Sequence, residues 1–396
     1  MYLTIEFIHR RKIEETEKLL DDILLLISRF KSKDWLKIHS CIREITKLPK
    51  RIKLNIISDP TFHKFTSELN SQIITSFEKK DETILDKSLI EYVVLINISL
   101  SIFSRKLTQE NLGVLPTSKS FKLPGTELLV HQDGIYGNGY SCLAIPKIDE
   151  IKVINKQIDP FFLETKIYDA KFDSEIENWL HMLGEALNLI SLNHNCSLLI
   201  KYFVQYIFPL KRKTESVDFS FSSRNLPNVI FKNKETSSVL FGESLVHEGD
   251  HSFFYALETF YSFWIENSNF HEEIHFSPWR DDPRPLDGIL RGLSAFTRVC
   301  MYYSTLFDKV DKELIFTIGK LLVFKINQCN IAVSTLITSN QLSISGSNLV
   351  TEMKEIIDRL DLDAKKFDHY DYWKSEATKS IEEKKINWEL RNHKSN

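Results

Sequence analysis

Apolar residues recur three and four positions apart through the first hundred residues, as in EETEKLLDDILLLISRF and SLIEYVVLINISLSIF, which is the spacing of helices with one buried face. The region from about residue 5 to 107 therefore reads as several helices, broken at Asp59-Pro60. Between residues 108 and 170 the pattern changes. Pro116, Pro124, Gly125, Gly134, Gly137, Gly139 and Pro146 punctuate short β-rich runs such as ELLVH and SCLAIP, setting a boundary near 110 to 120. Helical spacing returns in DSEIENWLHMLGEALNLISLN, residues 173 to 193. The run SLLIKYFVQYIF reads as a strand by its β-branched and aromatic content, as do VDFSF (217 to 221) and NVIF (228 to 231), and together they predict a small sheet. After Ser238 the chain reads as almost wholly helical, with breaks at 267 to 284, 307 to 311, 340 to 346 and 367 to 370.

These patterns predict a mainly α fold with a small β component (α+β). A helical N-terminal region covers residues 1 to 115. A second region covers 116 to 396, β-rich over 116 to 235 and helical over 236 to 396.

Composition adds limits. The 396 residues are 42% hydrophobic and 27% charged, ample for a sizeable core. With 51 Lys and Arg against 54 Asp and Glu, the formal charge of -3 gives no general reason to expect nucleic acid or anionic membrane as a partner. Cys41, Cys142, Cys196, Cys300 and Cys329 are scattered without a CxxC pair, which fits a reducing cytoplasm. Charges in MYLTIEFIHRRKIEETEK fall where a secretory signal needs its apolar core. The most apolar run, Tyr92 to Phe103, is shorter than the ~20 residues that span a bilayer and reads as a core helix. Oligomeric state is not legible.

The chemistry concentrates after residue 236. VLFGESLVHEGDHSFFYALETFYSFWIEN has the length and apolar content of one long buried helix, with Thr236, Ser237 or Ser238 as its N-cap. His247 and His251 lie four residues apart, so their side chains share one helix face and can converge on a divalent ion. Glu248 sits about 100° around the axis, the position that in zinc peptidases supplies the general base. The structural alternative is a pair of hydrogen-bonded core histidines. Downstream, Pro283 and Pro285 stiffen the segment FSPWRDDPRPLDGILRGLSAF, and Pro285 is suited to begin the next helix. Arg280, Asp281, Asp282 and Arg284 are thereby held on a rigid connector.

SSRNLPNVIF, then LVHEGDH, then SPWRDDPRPLDGILRGLSAF, in that order, resembles the HExxH-type 2-oxoglutarate-dependent peptide β-hydroxylases of ribosomal peptide biosynthesis. The resemblance covers roughly residues 215 to 305, and PWRDDPRP is its discriminating part. It implies Fe(II), 2-oxoglutarate and O2 as reactants, and a hydroxyl placed on the β-carbon of an Asp or His side chain in a precursor peptide. His247 and His251 match the metal ligands, Glu248 the intervening acid, and Arg280 to Pro285 the loop. Asn228 stands where relatives usually have glycine, and Arg291 where a polar uncharged residue or histidine is expected.

An iron oxygenase of this kind needs two histidines and usually a carboxylate, with positions left for the keto acid and O2. Glu258 shares the histidine face, but seven residues beyond His251 is about 10.5 Å along the axis, too far for one ion. Asp281 or Asp282 is the better third ligand. The distal carboxylate of the keto acid needs a cation, and Arg280, Arg284 and Arg291 are the candidates, with Arg298 next. The loop arginines can instead pair with Asp281, Asp282 or Asp287. Two further functions fit HEGDH: a zinc metallopeptidase using Glu248 on a metal-bound water, and a non-catalytic module stapled by an ion.

Overall fold

A computed structural model describes residues 5–81, short stretches between 85 and 153, and residues 176–392 apart from 211–218, 234–236 and positions 273, 308 and 311. The fold is mainly helical with a small β component. It divides into two compact units. One comprises Met1–Ile8, Asn178–Val204 and Glu235–Asn396, the other His9–Glu177 and Gln205–Lys234.

The second unit begins with helices α1 (Ile5–Ile27), of which all but the first turn belongs here, α2 (Lys33–Thr46), α3 (Lys50–Ile57) and α4 (Pro60–Lys79). Ser32 caps α2 by accepting from the Trp35 amide. Their apolar stripes close on a core containing Ile23, Trp35, Ile42, Phe62, Phe65 and Tyr92. Of the expected core helix over 92–103, Tyr92, Val93 and Ile96 are buried, and residues 97–103 lie outside the described residues.

The short strands β1 (Phe121–Lys122), β2 (Leu129–His131) and β3 (Gly134–Tyr136) form an antiparallel sheet. A five-stranded sheet has the order β4-β5-β6-β8-β7, with β4 at Lys147–Ile148, β5 at Ile151–Val153, β6 at Tyr206–Leu210, β7 at Ser220–Ser223 and β8 at Leu226–Asn233. Strands β5, β6 and β8 run parallel, and β7 returns antiparallel on β8. Both β6 and β8 are buried along their whole length, as parallel strands covered on both faces are, and β8 buries Asn228, Lys232 and Asn233 along with its apolar residues.

The other unit holds α5 (Ile176–Ser191), whose first residues are counted with the sheet, and α6 (His194–Phe203). It continues with α7 (Ser238–Glu258), α8 (Leu286–Leu306), α9 (Lys312–Thr338), α10 (Ile344–Ala364) and α11 (Tyr370–Asn392). Two sequence expectations are corrected. SLLIKYFVQYIF is a strand only in its last three residues. Asn193 caps α6 by accepting from the Cys196 amide at 3.0 Å, and Cys196, Leu199, Ile200 and Phe203 bury one helical face. Here the cap and the spacing of three, four and seven override β-branched content. The HEGDH helix, α7, is capped by Ser237 as expected but stops at Glu258. The following YSFWIEN instead bonds to the α9–α10 connection: Ile265 N–H donates to Gln341 O at 2.9 Å and Ser343 N–H to Phe263 O at 2.9 Å.

Candidate metal centre

The face of α7 that carries Glu243, His247 and His251 repeats every fourth residue, so the three side chains stack along one line. The Nε2 atoms of His247 and His251 face each other at 3.1 Å, with the rings nearly perpendicular. Two nitrogens held about 2.1 Å from one ion at adjacent positions, 90° apart, lie about 3.0 Å from each other, so this pair fits a shared ion. The same 3.1 Å contact is a hydrogen bond between the two rings when one of them donates, the alternative of a bonded histidine pair, and His251 Nδ1 is buried with no hydrogen-bond partner. Burial, then the neighbouring His251 and Lys325, push the His247 pKa well down, so its ring is neutral as a ligand must be.

The walls of the pair come from α8 and α9. Phe296 packs at a tilt of 55° against His247, 4.6 Å between ring centres, and Trp279 of the PWRDDPRP loop stacks on Phe296 at 4.9 Å. Gly292, one turn before Phe296, permits this: a Cβ there would come within 2.7 Å of the indole. Gln328 Nε2 on α9 donates to Pro278 O at 2.7 Å and fixes the entry to the loop. The loop motif and the histidine motif are therefore one packed assembly, joined through a single ring.

Lys325 on α9 sits 4.3 Å from the centre of the Phe296 ring and is bound to Glu243 Oε1 at 3.0 Å. The other Glu243 oxygen accepts from the Tyr303 hydroxyl, whose pKa is raised by its burial and by the Glu243 charge. One residue before His251, Asp250 is fully buried, paired with Arg298 of α8 and hydrogen-bonded by Ser294 Oγ at 2.6 Å. Neither cluster was anticipated. Their signals were Asp250 within HEGDH itself, and Lys325 as an ionic residue in the apolar run LLVFKINQCNIAV.

No protein-family model matches this sequence, and no curated protein does either.

The remaining expected site residues are placed as follows. Asp282 accepts from Arg280 Nε at 3.0 Å and pairs with Arg284 at 2.9 Å. Slight burial opposes its ionisation, and the Arg280 hydrogen bond with the nearby arginine charges still holds its carboxyl below the usual range. Asp281 is largely exposed and pairs with Lys384 of α11 at 3.5 Å. Both loop acids are thus engaged with cations, and among the described residues no group of three His, Cys, Asp or Glu is gathered for an ion. Arg280 and Arg284 follow the alternative of pairing within the loop. Arg291 bonds to Asp287 and lies 3.7 Å from Glu258, with its guanidinium 6.0 Å from the Tyr255 ring, which in turn lies beside His251. Arg298 is buried with Asp250 and serves the helix pair. Glu248 is 4% exposed. Asn228, at the position where the resembled family has glycine, has φ +66°, a conformation that glycine adopts freely and asparagine tolerates.

Proposed function

We propose that this protein hydroxylates a peptide side chain in an iron- and 2-oxoglutarate-dependent reaction, with His247 and His251 as the protein's nitrogen ligands. The contact series Trp279–Phe296–His247 carries the reading, because it joins the two segments that bear the resemblance into one site. Bound there, Fe(II) would let O2 be used to convert 2-oxoglutarate to succinate and CO2 while the second oxygen atom enters a carbon–hydrogen bond of the peptide.

The chain's own residues have separate tasks in this proposal. His247 and His251 offer two neutral nitrogens on a helix locked in place by Asp250 and Arg298. Phe296 and Trp279 form an apolar wall that keeps water from one side of the pair. Lys325, whose charge reaches His247, is the cation we assign to the distal carboxylate of the keto acid; it is paired with Glu243 as Arg280 and Arg284 are with Asp282, and is preferred to them because it lies beside Phe296 and His247. Glu243 holds its ammonium group in position and is itself fixed by the Tyr303 hydroxyl.

The test is direct. Protein prepared without oxygen is given Fe(II) and 2-oxoglutarate, and the visible charge-transfer absorption of a chelated keto acid is recorded, followed by succinate release when O2 is admitted. Both are expected from the native protein and neither from His247→Ala. Zinc-dependent, oxygen-independent peptide cleavage abolished by Glu248→Gln would overturn the proposal in favour of a metallopeptidase.

A further inference from the structure

Four helices of the unit that carries the histidines, α1 with its first turn, α6, α8 and α10, meet around a cleft of about 600 Å³. That is within the range of about 300–1,000 Å³ typical of ligand sites. Ile356, Arg359 and Leu360 share one face of α10 by their spacing of three and four. Leu198 of α6 and Met301 of α8 join Ile356 and Leu360 in an apolar floor, all four partly buried. Asn193 ties α6 to α8 beside this floor, donating to Met301 O at 3.2 Å and to Thr305 Oγ1 at 2.8 Å. The walls are therefore held together by more than apolar contact.

The charges around the cleft differ in their state. Arg298 forms part of its wall, and its charge is matched by Asp250. Glu6, in the first turn of α1, and Arg359 both line the cleft and are exposed. Among the described residues neither side chain makes an ion pair or hydrogen bond, with the other or with any third group. His194 at the start of α6 is the remaining titratable residue of the described lining. A cleft with an apolar floor, one unmatched acid and one unmatched base is complementary to a ligand with both charges set around an apolar stretch. A fatty acid would satisfy Arg359 alone. A free amino acid carries its two charges on neighbouring atoms and leaves much of the floor bare. A short peptide with a basic and an acidic side chain flanking aliphatic residues meets all three features.

We infer that the cleft edged by Glu6 and Arg359 binds a peptide segment in which aliphatic residues lie between a basic side chain, placed at Glu6, and an acidic one, placed at Arg359. Naming that segment as part of the substrate peptide, away from the modified residue, rests on the proposed hydroxylase reading. The cleft lies in the same unit as the histidines, and its wall residue Arg298 holds Asp250, the residue before His251. The affinity of the cleft for such a peptide does not need that reading.

The experiment titrates the full chain, without iron or 2-oxoglutarate, with acetyl-Lys-Leu-Leu-Asp-amide and its Lys/Lys, Asp/Asp and Gln/Gln counterparts, and reads each affinity by calorimetry. The native protein should bind the Lys/Asp peptide about three- to tenfold more tightly than the Lys/Lys or Asp/Asp peptide, the effect of exchanging an exposed ion pair for a like-charge contact. Arg359→Glu should reverse the order in favour of the Lys/Lys peptide, and Glu6→Lys in favour of the Asp/Asp peptide. A gain of this kind cannot come from misfolding. Equal affinity for all four peptides, binding of none, or an unchanged order in both variants overturns the inference. Free leucine bound as tightly as the Lys/Asp peptide would assign the cleft to an amino acid and overturn it as well. Failure of the iron and succinate test leaves these affinities untouched, so the two readings fall separately.

Discussion

Asp250 and Arg298 form an ion pair from which water is excluded, joining the helix of the two histidines to the helix that follows the PWRDDPRP loop. Asp250 immediately precedes His251, so the pair sets the rotation of α7 and with it the direction of both imidazoles. Removing one partner strands a buried charge, which costs about 3–5 kcal/mol, while replacing both by apolar residues avoids that penalty. Asp250→Ala is therefore expected to lower the unfolding free energy by about that amount in urea titrations, and the double variant Asp250→Leu, Arg298→Met to recover most of it. A double variant no more stable than Asp250→Ala would contradict this account.

Gly292 gives Trp279 its place on Phe296, and a methyl group there would meet the indole at 2.7 Å. Gly292→Ala should displace Trp279 despite the higher helix propensity of alanine, with a net loss of about 1–3 kcal/mol. Reduced quenching or a red shift of the Trp279 fluorescence, isolated by replacing the other tryptophans, measures the displacement. Gly292→Ala as stable as the native protein, with an unchanged spectrum, would show that the wall does not need this contact.

Under the proposed function, Lys325 separates keto-acid binding from metal binding. Lys325→Met is expected to raise the KM for 2-oxoglutarate roughly ten- to hundredfold, the loss of one hydrogen bond to a charged group. Iron content should stay near one equivalent per chain, and Lys325→Arg should restore part of the affinity. Unchanged KM in Lys325→Met would assign the carboxylate to another cation, with Arg291 beside Tyr255 the next to replace.

His9 and His63 should make the protein sensitive to mild acid. In the unfolded chain both imidazoles take up protons below about 6.5, whereas in the native protein they do so only near about 4 and about 3. The unfolded state holds more protons across that window, so the stability present above about 6.5 is lost as pH falls. Urea midpoints at about pH 7.5 and about pH 5.5 should differ in this direction, and His63→Gln should shrink the difference. A His63→Gln variant with the same pH dependence as the native protein would show that another group carries it.

Much of this protein was legible in order along the chain, because helices and their caps are decided by local spacing. Ser237 at the start of α7, Pro285 before α8, and the breaks near 307–311, 340–346 and 367–370 all follow from apolar period and capping chemistry. His247 and His251 were readable as a pair for the same reason, since four residues on a helix place two side chains side by side. The sequence alone did not assign the charged residues to partners. Asp281 and Asp282 stood as candidate metal ligands, and Arg280 and Arg284 either as a carboxylate clamp or as partners of the loop acids; in three dimensions Arg280 and Arg284 pair with Asp282, and Asp281 with Lys384. Asp250 with Arg298, and Glu243 with Lys325 and Tyr303, meet only because α7, α8 and α9 pack together. Local periodicity fixes which side of a helix a residue occupies. Which charge it meets there depends on long-range packing, because an ion pair takes its partner from whatever helix the apolar core brings alongside.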